Sequence, residues 1–299
     1  MREQHETNND QIQVAGLVAP WIHKGDYKES NMQRIEILAR QAVEKGAQIL
    51  VTSECFLDGY AREVSDRSIH EPEAARCELL DSSQYVVKFK ALSKELGVVI
   101  IAGMAIREPG NPSRDGQIYH YQHQAIPEGQ RLYNSAQVYS PEGQLVGIYR
   151  KTHGAYTQTK WHAKLRSSEK QRCFPAFDTP FGKVGLMICN DRLFPHTYEN
   201  LVLNGAQALF CVSGGGYDWD IMAKYASEAG LAGIFVHPEG CAIFDNTGRT
   251  TVEQHGERRT LLPAELGSSI DKTFVVCGKI KFKRDNCTQK KLEKSTFSN

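Results

Sequence analysis

The sequence predicts an α/β protein in which helices alternate with strands in a mixed sheet or sheets. Segments with apolar residues at helical spacing alternate along the chain with short, continuous apolar runs. Turn-forming clusters separate several of those runs by only a few residues, which is the spacing of hairpins.

Gln11 to Pro20 alternates weakly and reads as a first strand. Asn31 to Lys45 sets Met32, Ile35, Ala39, Ala42 and Val43 at helical spacing, and Gly46 stops that helix. Ile49 to Val51 is a short strand ending at Thr52-Ser53-Glu54. A second helix over Ser82 to Leu96 aligns Tyr85, Phe89, Leu92 and Leu96, and Gly97 ends it. Val98 to Ile106 is continuously apolar, as in a strand buried on both faces. Arg107 to Gln117, rich in Gly, Pro and charge, reads as a loop.

Asn134 to Tyr139 and Leu145 to Arg150 flank Pro141-Glu142-Gly143, a hairpin signal. Gly154 to Arg172 shows no period and reads as a long functional loop. Phe177 and Val184 to Ile188 flank Thr179-Pro180-Phe181-Gly182, a second hairpin. A helix follows around His196 to Leu203, then a strand at Ala208 to Val212 and a helix over Trp219 to Ala229. The last strands are expected at Cys241 to Phe244, Thr250 to Glu253 and Phe274 to Ile280. No repeat or linker divides the chain. The expected organisation is a disordered leader at 1–10, one domain over 11–280 and a basic polar tail at 281–299.

Composition narrows the function classes. The 299 residues carry 36 Lys+Arg against 35 Asp+Glu, a net charge of +1. That balance gives no reason to expect nucleic acid or an anionic membrane as partner. The longest apolar run, Val98 to Ile106, is about half the roughly 18 residues a membrane span needs. The N-terminal segment has no basic region followed by an apolar stretch, so a cytoplasmic location is expected. Eight cysteines in such a chain read as reduced thiols. No two stand at zinc-finger spacing, and no metal is expected.

Three strand ends carry candidate chemistry. Val184 to Ile188 runs into Cys189-Asn190-Asp191-Arg192, placing a thiol on a strand-to-helix turn whose helix N-terminus would favour a thiolate. Ile49 to Val51 runs towards Glu54, and Val146 to Tyr149 runs into Arg150-Lys151. Each alone is as easily a packing residue or a solvated strand end. Together they answer one chemical need. A thiol is mostly protonated at pH 7, and a neighbouring ammonium favours its thiolate and steadies a tetrahedral oxyanion. A carboxylate beside them moves protons to a leaving amine and from an attacking water.

These segments resemble those of the nitrilase (carbon–nitrogen hydrolase) superfamily, in its amidase and N-carbamoyl amidohydrolase branch. The resemblance rests on Ser53-Glu54-Cys55-Phe56-Leu57-Asp58-Gly59-Tyr60, Tyr149-Arg150-Lys151-Thr152-His153 and Ile188-Cys189-Asn190-Asp191-Arg192-Leu193-Phe194-Pro195, in that order. Tyr133-Asn134-Ser135-Ala136, Phe177-Asp178-Thr179-Pro180, Asn204-Gly205-Ala206 and Ala264-Glu265-Leu266 support it. It implies an α-β-β-α sandwich, a homodimer or higher homo-oligomer, and no cofactor. It implies Cys189 as nucleophile, Lys151 and the Asn190 backbone N–H as oxyanion donors, and Glu54 as general acid and then base. Ser213, at a strand end before Gly214-Gly215-Gly216, is expected to line the substrate site, with Tyr60 as a further candidate.

The sequence departs from the family pattern at Ser53, where Pro is common, and at His196, where Glu is common. Eight residues after Lys151, where many members carry a second active-site Glu, stands Thr159; the next Glu is Glu169. Asn190-Asp191 replaces the Trp-Glu that follows the cysteine of true nitrilases, which favours an amide or N-carbamoyl substrate over a nitrile. Two rival readings stay open here: a degenerate member that binds a ligand or protein without turnover, and a Cys-His hydrolase using His153.

Overall fold

The computed structural model describes residues 11–22, 25–60, 76–109, 129–153, 174–216, 218–255 and 273–283. Within them two mixed sheets face one another, with helices on their outer sides. The first sheet runs β13-β1-β2-β4-β5-β6, and a two-residue β3 (Glu78–Leu79) pairs with β4. Its strands are β1 (Gln11–Val18), β2 (Ile49–Thr52), β4 (Val99–Pro109), β5 (Gln130–Tyr139), β6 (Leu145–Arg150) and β13 (Phe274–Lys281). The second runs β12-β11-β10-β9-β8-β7. It comprises β7 (Ala176–Thr179), β8 (Gly182–Ile188), β9 (Ala208–Val212), β10 (Ala232–His237), β11 (Gly240–Phe244) and β12 (Thr250–His255).

Each sheet has a parallel centre built by helical crossovers. β1, β2 and β4 are parallel, joined through α1 (Tyr27–Glu44) and α2 (Gln84–Leu96). β8, β9 and β10 are parallel, joined through α3 (Pro195–Leu203) and α4 (Asp220–Ala229). Antiparallel strands complete both sheets, as the hairpin signals predict. Strand ends that share a direction share an edge, and ligand sites of α/β sheets lie at the carboxyl edge of parallel strands.

The layering follows from period-2 alternation. Val14 and Val18 of β1 pack with Ile49 and Val51 against the second sheet, whereas Ala15, Leu17 and Leu50 join the helix side. There they meet Met32, Ile35, Leu38 and Ala39 of α1 and Tyr85, Phe89 and Leu92 of α2. Both faces of these strands are therefore buried, which is why their sequence reads as unbroken apolar runs. Burial on that scale, at about 25 cal/mol per Å² of apolar surface, is the main stabilising term.

Several boundaries differ from expectation. α1 begins at Tyr27, a turn early, because Tyr27 is buried under the Arg76 guanidinium, 4.2 Å from its ring centroid. α2 starts where Ser83 Oγ accepts from the Tyr85 and Val86 N–H groups and ends at left-handed Gly97. Arg107 to Pro109 extends β4 rather than opening a loop. Strand β10 is absent from the sequence reading, although its Ile234-Phe235-Val236 run is β-prone; it begins only two residues after the α4 cap Gly230. β13 takes in Lys281, expected to open the basic tail, and Phe282 beyond it is buried. Residues 1–10 and the tail from 284 lie outside the described residues, as does the segment 154–173. No described helix is long and apolar enough to cross a membrane.

Gly103 in β4 shows how closely the layers fit. A Cβ there would press into the Ser53 carbonyl and approach Cys55 N to 3.0 Å and Glu54 Cα to 3.1 Å. All three contacts are backbone, so nothing can rotate aside. Gly103→Ala is expected to lower unfolding stability by about 1–3 kcal/mol, the range for overpacked cores. Urea denaturation followed by fluorescence measures it; an unchanged midpoint would show that the 53–55 backbone yields freely.

Candidate active site

Glu54, Lys151, Cys189 and Ser213 each stand one or two residues beyond a strand, β2, β6, β8 and β9 respectively. The two sheets bring these ends together. Glu54 is fully buried. Its Oε1 accepts from Lys151 Nζ and from Asn134 Nδ2, both at 2.6 Å. Its backbone is held from three directions: the N–H donates to Ser213 O at 3.3 Å, the carbonyl accepts from Trp21 Nε1 at 3.1 Å, and Gly103 packs beneath. Its Oε2 is buried without a hydrogen-bond partner among the described residues. A carboxylate oxygen left in that state is a strong acceptor aimed at whatever enters.

Asn134 on β5 works twice. Its side chain bonds Glu54, and its carbonyl accepts the Lys151 N–H at 2.8 Å. Lys151 is itself buried. Burial opposes its ammonium, but the charges of Glu54, Cys189 and Tyr60, with the Glu54 hydrogen bond, more than reverse this and hold its pKa well above the usual lysine range. The site therefore keeps a permanent cation between a carboxylate and a thiol.

Cys189 opens a five-residue 3₁₀ turn, Cys189–Leu193, at the end of β8. The first α-helical residue after it is Pro195. The helix N-terminus expected to act on the thiol is thus six residues away, because the 3₁₀ turn intervenes. Cys189 Sγ lies 3.2 Å from Gly215 O. Arg192, also buried, donates from Nη1 to Cys189 O at 2.6 Å and from Nη2 to Gly216 O at 2.9 Å. It ties the thiol turn to the Ser213–Gly216 segment. Ser213 Oγ donates to Gly215 O at 3.2 Å. Gly214 leaves the space beside Glu54 open: a Cβ there would stand 2.9 Å from Glu54 Oε2 and 2.8 Å from the Trp21 ring.

The backbone is strained here. Among the described residues, three non-glycine residues have positive φ: Cys55 (48°), Tyr60 (45°) and Cys189 (48°). Such conformations cost about 1–3 kcal/mol each and gather at functional sites. Tyr60 is buried and its ring stacks on Trp21 at 4.5 Å. Asn190 is half-buried beside Cys189.

His153 stands apart from this group. Its Nδ1 is 2.8 Å from Asp191 Oδ1 and its Nε2 is 2.9 Å from His196 Nε2. Both ring nitrogens are thus engaged away from the thiol, which weighs against a Cys-His pair. His237 is buried and held neutral: burial and then the Arg192 charge push its pKa down to about 3. Cys211 is pushed up to about 12 by burial. Six described cysteines are free; Cys55 and Cys189 both have positive φ just past a strand, and Cys189 Sγ is 3.2 Å from Gly215 O. His120, His123, Thr159 and Glu169 lie outside the described residues.

Sequence reasoning assigned no role to Asn134, Trp21 or Arg192. Trp21 carried one faint signal, an aromatic just past a strand end. Asn134 sat inside a quoted motif, but an amide within a strand gives no hint of its partner.

With this geometry in place, the chain is identified as a member of the carbon–nitrogen hydrolase family, whose model matches residues 15–272. That places it in the nitrilase superfamily, with the α-β-β-α fold of its structural neighbours. It is 29% identical over 181 residues to a nitrilase from Pyrococcus abyssi, covering 60% of this chain and 57% of that protein. It is 30% identical over 184 residues to an N-carbamoylputrescine amidase from Arabidopsis thaliana, covering 60% of this chain and 52% of that one. The match thus spans a little over half the length of these relatives. A carbon–nitrogen hydrolase from Helicobacter pylori shares the fold with a TM-score of 0.61 at 18% identity, over 96% of this chain and 93% of that one.

Asp58, in the turn between Glu54 and Tyr60, offers a pH test. Burial raises its carboxyl to about 6, although the Ala105 N–H bonds Oδ1 at 2.8 Å and Arg76 lies near. The folded state then binds more protons than the unfolded state between pH 4 and 6, so stability falls as pH rises through that window. Asp58→Asn is expected to flatten this dependence, removing about 2–3 kcal/mol of pH-linked change. Denaturation midpoints from pH 4 to 7 check it, and an unaltered slope would count against the assignment.

Proposed function

We propose that this protein hydrolyses a non-peptide C–N bond in a small linear amide or N-carbamoyl compound through a Cys189 thioester. The observation that carries the reading is the buried Lys151–Glu54–Asn134 cluster, its cation coupled to Cys189 and its Glu54 Oε2 without a partner among the described residues. Glu54 takes the Cys189 proton as the sulfur attacks the carbonyl carbon. Lys151 and the Asn190 backbone N–H hold the oxyanion. Glu54 then gives the proton to the departing nitrogen, and ammonia or an amine leaves. In the second half Glu54 takes a proton from water, the hydroxide attacks the thioester carbon, and the acid departs as the thiol is restored.

Trp21, stacked on Tyr60, forms an aromatic wall beside Gly214, and Ser213, next to that glycine, is taken to line the same side of the substrate site. The names of both relatives fit a C–N hydrolase of small molecules, and Asn190-Asp191 after the nucleophile favours amides over nitriles. The proposal takes residues 11–280 as one catalytic unit, acting in the cytoplasm as a homodimer or higher homo-oligomer. It needs no metal or cofactor and has neither nucleic acid nor membrane as partner.

Ammonia release is to be screened over short amides, ω-amides, N-carbamoyl compounds and nitriles. Cys189→Ala is expected to abolish release from any substrate found, and Lys151→Ala to lower it at least about 10³-fold, while His153→Ala keeps measurable activity. Undiminished hydrolysis by Cys189→Ala would sink the reading, and loss in His153→Ala with Lys151→Ala active would replace it with a Cys-His mechanism.

A further inference from the structure

The nucleophile turn and the lysine strand are joined by one carboxylate. Asp191 is fully buried and accepts four hydrogen bonds. Oδ1 takes the His153 backbone N–H at 2.7 Å and His153 Nδ1–H at 2.8 Å. Oδ2 takes the Tyr149 hydroxyl at 2.7 Å and the Ile188 N–H at 2.9 Å. Tyr149 and His153 bracket Lys151 by two residues on either side, and Ile188 immediately precedes Cys189. Burial opposes the Asp191 charge, but the His153 contacts, the Lys151 charge and the Tyr149 bond outweigh it and keep it ionised.

The bond pattern constrains the protons. An ionised Asp191 calls for a proton on His153 Nδ1. In the tautomer that carries its proton there alone, His153 Nε2 accepts from His196 Nε2–H across their 2.9 Å contact. The His153 ring is stacked on Phe194 at 4.1 Å and on Phe174 at 5.8 Å, and His196 touches the same two rings. His196 is half-buried and opens α3 just after Pro195.

We infer that His196 is a positioning residue: through the His196–His153–Asp191 relay it holds Cys189 in its left-handed conformation, in register with Lys151. The inference rests on the proposed role of Cys189. The mechanical need is plain. Cys189 at φ 48° relaxes unless the chain on either side of it is restrained. Arg192 restrains the peptide after it, through Cys189 O, and Asp191 anchors the end of the strand before it, through Ile188 N–H in the Met187–Ile188 peptide. His153 Nδ1–H is one of the four donors that orient Asp191, and His196 favours that tautomer by donating to Nε2. His196 touches no reacting atom in this account.

Two substitutions separate the relay from simple packing. His196→Gln keeps an N–H donor for His153 Nε2 and loses the aromatic ring; His196→Phe keeps the ring and loses the donor. With an amide identified by the screen, His196→Phe is expected to lower kcat about tenfold at unchanged KM, and His196→Gln to stay within about twofold of the parent. Alkylation of Cys189 by iodoacetamide, read by peptide mass, is expected to slow in the same order and needs no substrate. Melting temperatures are read in parallel; if His196→Phe does not fold, His196→Ala opens the same bond without added bulk. Full kcat in His196→Phe, equal losses in both variants, or a loss confined to KM overturns the relay alone. Retained turnover by Cys189→Ala overturns the thioester reading, and the relay with it.

Discussion

Glu54 Oε1 receives two hydrogen bonds, from an ammonium on β6 and an amide on β5, and its backbone leans on Ser213 of the opposite sheet. Burying a carboxylate and an ammonium together costs several kcal/mol per ion, and only close geometry with further hydrogen bonds offsets it. Removing one partner strands the other, so the pair works as a unit. Everything around it serves the geometry: Gly103 lets β4 pass beneath Glu54, Asn134 fixes both the carboxylate and the Lys151 backbone, and Trp21 caps the Glu54 carbonyl. The two sheets must dock in one register for these groups to meet.

The second sheet presents Cys189 with comparable economy. Arg192 and Asp191, three and two residues beyond the thiol, turn back to grip the Cys189 carbonyl and the Ile188 N–H. Lys151 stands against Glu54 and is coupled to Cys189, and the Arg192 guanidinium holds the carbonyl of the thiol turn. In a buried setting such an array is a preorganised field, and its orientation costs nothing when a substrate arrives.

The sequence made part of this legible. Strand ends at Glu54, Lys151 and Cys189 could be read because an ionisable residue closing an apolar run is conspicuous, and their order matched a known pattern. The parallel centres of the two sheets followed from alternating helices and strands. Asn134 stayed silent because its role depends on which strand lies beside β5, and that is set by tertiary pairing. Strand β10 was passed over although Ile234-Phe235-Val236 is β-prone, because it follows a helix cap so closely. The 3₁₀ turn after Cys189 was hidden too, since five residues are too few to show a period. His196 was visible only as a departure from pattern, without the imidazole it meets.

The left-handed backbone at Cys55, Tyr60 and Cys189 also bears on how this protein tolerates heat. A residue held off its preferred conformation returns to it as soon as its restraints loosen, and restraints at a loop edge loosen before a core melts. The sulfur geometry is therefore the first thing warming erodes, while the apolar layers beneath Ile49, Val51 and Leu186 stay closed. Loss of the thiol geometry and melting of the core are then expected at separate temperatures, the first below the second.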